Sequence, residues 1–199
     1  PTMRAIDRYT GVLFDALDAA SLDPSGRRWL GGHVMIHSAP WGPVGALDFI
    51  PSYRLGAGVS LPGVEALRRV WAEAVTRSLR AHEPGFILDL RSEAYVALGP
   101  VPDDLSHAYV RVVTEGADGV VRALNHFNKH AKGALVRLLA QERPRIRSRA
   151  GLLAWSASIA LTAVAAEPPT RWDRQCSRTP IQVGIFSEAS WWPSPGCSS

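Results

Sequence analysis

A chain of 199 residues with 22 Lys and Arg against 18 Asp and Glu carries a formal net charge of +4 and a pI of about 9.5, so polyanions such as nucleic acid, nucleotides or phosphorylated substrates are natural partners, with no choice among them. Its length and its 46 % apolar content suit one packed domain that needs no covalent staple. Two cysteines, Cys176 and Cys197, exclude a disulfide framework and zinc-finger spacing, and the absence of a transmembrane-length apolar run or a leader pattern predicts a cytoplasmic protein with no membrane partner.

In chain order, residues 5–22 place Ile6, Tyr9, Leu13, Phe14, Leu17 and Leu22 around a Thr10-Gly11 break, which predicts a loop followed by about two helical turns. Asp23-Pro24-Ser25-Gly26 is a turn or a helix start. His33 to His37 reads as a short buried strand that ends in the loop Ser38-Ala39-Pro40-Trp41-Gly42-Pro43. The spacing of Val64, Leu67, Val70, Trp71, Ala74 and Val75 predicts a helix over Pro62–Arg80, with Pro62 in the first turn and basic residues at the end. Gly85 to Leu90 is a second buried strand, and His107–Thr114 with Gly119–Leu124 predicts a hairpin turning at Glu115 to Gly119. Amphipathic helices follow over Lys129–Gln141 and, more briefly, Arg149–Trp155. This alternation argues for an α/β (mixed α+β) fold, a single domain over residues 1–166 with a mixed sheet and flanking helices. Residues 167–199 hold three of the seven Trp, both Cys and five of the Pro without a regular period, and read as an atypical tail, disordered or non-native.

Lysine usage is the most informative feature. Of the 22 basic residues 20 are Arg, and the only two Lys, Lys129 and Lys132, sit three positions apart in Asn125-His126-Phe127-Asn128-Lys129-His130-Ala131-Lys132-Gly133. Lys is a compact charge whose pKa falls readily on burial; it binds phosphate or carboxylate, acts as a base or forms covalent adducts. On a helix, Lys129, Lys132 and Arg137 project to one broad side and Ala131, Ala134, Leu135 and Leu138 to the other. Between Arg122 and Arg149 there are eight Lys or Arg and one acid, Glu142. The segment is an anion-binding surface or an ordinary solvated face.

Two further groups carry chemistry. Asp48 and Tyr53-Arg54-Leu55 beside glycine turns can offer a phenol and a guanidinium to an anionic or aromatic ligand; alternatively Arg54 is a structural partner of Asp48 or Asp89. Arg91-Ser92-Glu93-Ala94-Tyr95 follows a strand directly, where crevices form in α/β folds, although Ser92 and Glu93 equally suit a helix start. His33 with His37 and His126 with His130 have paired spacing but no third ligand, so no metal and no cofactor is expected.

Tyr9-x-Gly11-x-x-Phe14-x-x-Leu17-x-Ala19, Ser38-x-x-x-Gly42, Asp48, Tyr53-Arg54-Leu55-x-x-Gly58, Trp71, Leu90-x-Ser92-Glu93-x-Tyr95 and Lys129-x-Ala131-Lys132-Gly133-x-x-x-Arg137 occur in one order. Together, from about Ala5 to Trp155, they resemble the YaaA peroxide-stress family. The resemblance implies a cytosolic mixed α/β protein that protects against hydrogen peroxide by limiting free iron and oxidative DNA damage. It also implies DNA binding through a positively charged cleft and a helix-hairpin-helix element. Carried over, Lys129, Lys132, Arg137 and Arg54 are the nucleic-acid or anion-binding candidates, with Ser38, Asp48, Tyr53, Ser92, Glu93 and Tyr95 lining the cleft. Ala-Pro-Trp stands at 39–41 where the family has Gly-Leu-Tyr, and the family's opening region is expected ahead of Pro1.

Two functions follow. One is DNA binding by a stress protein, a reading that leans away from catalysis and leaves it open. The alternative is an enzyme acting on a phosphorylated or nucleotide-like small molecule, suggested by the variety of polar groups; a pocket joining Lys129, Arg54 and Glu93 would favour it.

Overall fold

The computed structural model describes residues 1–115, 121–122, 125–159, 161, 163–165 and 181–184. The chain opens with β1 (Thr2–Arg4), which pairs antiparallel with β4 (Phe49–Pro51), Met3 opposite Ile50. Between these strands run α1 (Ala5–Arg8), α2 (Val12–Leu17), a 3-10 turn at Ala19–Ser21, α3 (Pro24–His33), and the antiparallel hairpin β2 (Met35–Ser38) and β3 (Gly42–Gly45). Asp23 caps α3, its carboxylate accepting from the Gly26 N–H at 2.5 Å, with Pro24 in the first turn where a missing N–H loses nothing.

His33 therefore ends a helix instead of starting a strand. Its ring stacks on Trp29 at 4.5 Å and lies 2.9 Å from the Trp29 carbonyl. The helix runs further than expected because the Asp-Pro cap is a stronger local signal than a five-residue apolar run. The strand begins at Met35, which is 41 % exposed, so it is not the fully buried strand that its apolar residues suggest.

The next helix, α4 (Leu67–Ala81), starts five residues later than Pro62. Gly63 adopts φ +73°, and a turn closes from the Leu61 carbonyl to Val64 N–H before the helix begins. Leu67 and Val75 are buried, whereas Val64 and Val70 of the expected apolar face are 50 % and 45 % exposed.

The main sheet is mixed. β5 (Ile87–Asp89) runs parallel to β6 (His107–Glu115), and β6 runs parallel to β9 (Ile181–Gly184). β7 (Val121–Arg122) pairs antiparallel with β6, and β8 (Ala163–Ala165) antiparallel with β9. The expected hairpin is thus present as β6–β7; its turn at 116–120 lies outside the described residues. β9 falls inside the stretch for which no element was expected, because Ile-Gln-Val-Gly is too short a run to show a period. The rest of 167–199 lies outside the described residues. α5 (Glu93–Val96) follows β5, and α6 (Asn125–Glu142) and α7 (Arg149–Ser158) complete a single mixed α+β domain of sheets with flanking helices. No described helix is long and apolar enough to cross a membrane.

The long helix α6 is the partition of the core. Leu135 and Leu139 pack with Ala108, Val110, Val112 and Leu152, the alternate residues of β6 and the face of α7. Val136 and Ala140 pack instead with Ile6, Leu17, Leu22 and Leu30 of the N-terminal helices. A third cluster, separate from α6, is built from Ala39, Leu67 and Leu98 with Trp71 and Tyr95.

 Ala39 is fully buried there, and the Trp71 indole N–H donates to its carbonyl at 2.8 Å, which seats the loop after β2 on α4.

Gly133 sets how closely α6 crosses α2. A methyl group there would run into the Leu13 carbonyl oxygen and come within 2.9 Å of Ala16 Cβ. Arg137, one turn on, donates to the carbonyls of Leu17 and Asp18 at 2.9 Å each and to Ser21 Oγ at 2.9 Å, which satisfies the open end of α2. We expect Gly133→Ala to lower unfolding free energy by about 1–3 kcal/mol from overpacking, although alanine is the better helix former by about 1 kcal/mol. Gly32→Ala in α3, where an added methyl meets nothing within 4 Å among the described residues, should be neutral or stabilising by up to about 1 kcal/mol. Urea unfolding of both variants separates the crossing from helix propensity.

Candidate functional site

β5 ends on Asp89, and the chain turns there into Arg91. The Asp89 carboxylate is 6 % exposed and both its oxygens are occupied: Oδ1 accepts from the Arg91 backbone N–H at 3.1 Å and from Nε at 2.9 Å, and Oδ2 from Nη2 at 2.7 Å. Burial pushes the Asp89 carboxyl up, but the Arg91 guanidinium outweighs it and holds the group below the usual carboxylate range. The remaining arm of the fork, Arg91 Nη1, donates to the Gly99 carbonyl at 2.8 Å and to His37 Nδ1 at 3.0 Å.

A guanidinium only donates, so Nδ1 of His37 is the acceptor and Nε2 carries the proton. Burial, then the neighbouring Arg91 charge, lowers His37 to about 4, so the ring is neutral at ordinary pH. Its Nε2 is buried and has no hydrogen-bond partner among the described residues. The ring lies 5.7 Å from that of Tyr95.

Lys132 reaches the same cluster from α6. It stands one turn before Leu135 and two before Leu139, on the side of the helix that meets β6. Only 5 % exposed, it donates from Nζ to the Arg91 carbonyl at 3.4 Å and lies 5.2 Å from the centre of the Tyr109 ring. Burial lowers its pKa to about 8 against the opposing pull of Asp89 and Glu93.

Beyond Tyr95 the structure opens into a solvent-facing cleft of about 530 Å³, walled by Tyr9, Tyr53, Arg54, Leu55, Gly56, Val59 and Tyr95. Its polar wall is a chain of hydroxyls. Ser38, fully buried, donates to the Tyr53 hydroxyl at 3.1 Å, and the Tyr53 and Tyr9 phenol oxygens are 2.5 Å apart. Trp41 sets its edge against Tyr53 at 4.8 Å, and Phe14 stacks on Tyr9 at 5.2 Å, so both phenols are held from behind. Burial and the Tyr53 hydrogen bond raise Tyr9 well above the usual phenol range, and burial also raises Tyr95.

The residues singled out in the sequence divide into three groups. Ser38, Tyr53, Arg54 and Tyr95 come together at the cleft, with Ser38 behind its wall. Lys132 lies in the ionic cluster, and Glu93, exposed in the first turn of α5, is close enough to influence its charge. Asp48, Arg137, Ser92 and Lys129 stand elsewhere. Asp48 closes the β3–β4 turn by accepting from the Gly45 N–H at 2.7 Å, and Arg137 holds the end of α2. Ser92 is exposed at the start of α5 and makes no side-chain cap, and Lys129 is exposed on α6. The cationic side of α6 is therefore not one continuous surface: Lys132 is buried and Arg137 is engaged. Arg54 pairs with neither Asp48 nor Asp89, and the cleft joins Arg54 to neither Lys129 nor Glu93.

Four participants stand outside the candidate site residues drawn from the sequence: Tyr9, His37, Asp89 and Arg91. Asp89 and Arg91 had a usable signal, an acid closing an apolar strand with a base two residues on. Tyr9 and His37 had none, because their partners lie 44 and 54 residues away. Among the described residues no group of three or more His, Cys, Asp or Glu is placed to hold a metal ion.

A mixed α+β domain with a tyrosine-walled cleft beside a buried Asp-Arg-Lys-His cluster has recognisable relatives. Residues 1–157 match the family described as peroxide stress protein YaaA, and the chain belongs to that family. It is 42 % identical over 158 residues to a UPF0246 protein of Corynebacterium efficiens, covering 77 % of this chain and 61 % of the relative. A UPF0246 protein of Streptomyces coelicolor is 43 % identical over 134 residues, covering 66 % of this chain and 50 % of the relative. The chain thus spans half to about three fifths of the length of these curated relatives.

The two lysines make the ionic cluster directly observable. With lysine labelled at 13Cε, the signal absent from Lys132→Met should titrate near pH 8. Since the native state releases this proton at a lower pH than the unfolded chain, the unfolded state binds more protons between about 8 and the ordinary lysine value, and stability should rise with pH across that window. A Lys132 signal titrating at the ordinary lysine value would show that the amine is hydrated.

Proposed function

We propose that this chain acts in resistance to hydrogen peroxide by binding DNA, and that the tyrosine-walled cleft holds a phosphate and its neighbouring base. The observation that carries this reading is Arg54: exposed at the cleft wall among Tyr9, Tyr53 and Tyr95, it makes no ion pair or hydrogen bond among the described residues. A guanidinium left free beside aromatic rings suits a strand whose phosphate it neutralises and whose base rests on a ring. The family's description as a peroxide stress protein supports the setting, and the net charge of +4 favours a polyanion. Lys129, exposed on α6, supplies further positive charge for the backbone.

The test is anisotropy with a labelled single-stranded oligonucleotide and its duplex over a range of salt concentrations. Affinity for the single strand should fall as salt rises. Arg54→Ala should weaken binding several-fold and reduce the slope of log affinity against log salt by about 0.7, the amount set by one phosphate contact on a single strand. Arg54→Lys should restore the slope more than the affinity, because it keeps the charge but not the planar fork. Salt-independent binding, or an Arg54→Ala variant equal to wild type, would remove the basis for this reading.

The second reading, an enzyme acting on a phosphorylated or nucleotide-like small molecule, is favoured by one observation: the Lys132 amine, lowered to about 8, lies beside Asp89 and Glu93. Such an amine is suited to proton transfer near neutral pH. Mononucleotides binding more tightly than oligonucleotides would favour it.

A further inference from the structure

Three hydroxyl groups meet at the cleft, Tyr53 and Tyr9 in its wall and Ser38 behind it, and the hydrogens between them can be counted. Ser38 Oγ donates to the Tyr53 oxygen at 3.1 Å, and the Tyr53 and Tyr9 oxygens share one hydrogen at 2.5 Å. Three hydroxyls own three hydrogens, and these two bonds use two. Ser38 is fully buried and its one hydrogen is spent within the group, on Tyr53 at 3.1 Å and near enough to Tyr9 to act on that phenol too. The third hydrogen therefore belongs to Tyr9 or Tyr53, and both phenols line the cleft.

We propose that this hydroxyl relay is a hydrogen-bond donor built for an oxyanion: the spare phenol hydrogen of the Tyr9–Tyr53 pair binds a phosphate oxygen whose charge Arg54 meets, and Ser38 is the positioning residue that orients the pair. The proposal rests on the reading of the cleft as the phosphate-binding site and names the donors within it. Four features support it. The relay is anchored at a buried end, so its polarity runs outward towards the cleft. Each donated hydrogen makes the next hydroxyl a better donor, so the outermost hydrogen is stronger than that of a lone phenol. Tyr9 stays protonated through the physiological range, since burial and Tyr53 hold its proton on. Neither ring is free to turn away, because Trp41 and Phe14 pack against them.

The same count shows why single phenol substitutions are poor tests. Tyr9→Phe leaves the Tyr53 hydrogen free to point into the cleft, and Tyr53→Phe leaves that of Tyr9. Removing only the outer hydroxyls would also strand the buried Ser38 hydroxyl. The informative variant is the triple change Ser38→Ala, Tyr9→Phe and Tyr53→Phe, which takes out all three hydroxyls together and leaves rings of the same shape, a replacement that is close to neutral for folding. Its melting temperature should stay within about 4 °C of wild type.

Binding is measured by calorimetry with inorganic phosphate and by anisotropy with the labelled oligonucleotide, for wild type, the triple variant and Arg54→Ala. The triple variant should bind both probes about tenfold or more weakly, the loss of a hydrogen bond to a charged group, with an unchanged salt slope because no charge has been removed. A folded triple variant with wild-type affinity, while Arg54→Ala is weakened, overturns the relay and leaves the cleft reading intact. Wild type that binds neither probe overturns both. A triple variant that fails to melt cooperatively is replaced by Ser38→Ala alone, which strands no hydroxyl and removes only the donor that orients the pair; affinity should fall several-fold with an unchanged salt slope, and wild-type affinity overturns the relay.

Discussion

Arg91 is the side chain on which the rest of this structure depends. Its guanidinium grips Asp89 with two arms and a third reaches both Gly99 and His37. Its own carbonyl takes the Lys132 amine. One residue thus connects the end of β5, the β2 hairpin, the segment after α5 and the long helix α6. Asp89 and Lys132 are almost fully buried, and charges so placed are tolerable only while paired. Loss of one partner from such a pair typically destabilises a protein by about 3–5 kcal/mol, because the other charge is left behind in the interior. The close crossing at Gly133 serves the same arrangement: it lowers α6 onto α2, and its neighbour Lys132 comes down onto the ionic cluster.

The molecule therefore holds two chemical environments side by side, with Tyr95 between them. On one side charges are buried and gathered around Arg91. On the other, neutral hydroxyls and aromatic rings face solvent beside an exposed guanidinium. Tyr95 belongs to both, since its ring approaches His37 and also lines the cleft. The buried cluster supplies stiffness, because it fixes the loop that carries Tyr95. The cleft supplies access.

How much of this was legible in the sequence depended on the range of the interactions. The alternation in β6, the amphipathic period of α6 and the strand before Arg91 are local signals, and each appears near its expected place. The cap at Asp23 was equally local, yet a competing apolar run obscured the length of α3. The rarity of lysine draws notice to Lys132, but the helix period places it on an open cationic side, whether anion-binding or solvated, and the residue is buried. Helical periodicity says which residues share a face and not which face meets the sheet. Arg137 illustrates the same gap, since nothing near it in sequence reveals that the end of α2 is its partner. Tyr9 and His37 are the extreme case: their roles exist only because distant segments meet.

The scarcity and placement of lysine have a practical corollary. With Lys132 sealed inside the domain and Lys129 exposed on α6, amine-directed chemistry has a single side-chain target on this chain. A fluorophore, a cross-linker or a solid support attached through a lysine would be carried at one defined point on the molecule. The abundance of arginine, which such reagents ignore, leaves the positive charge of the surface unaltered around it.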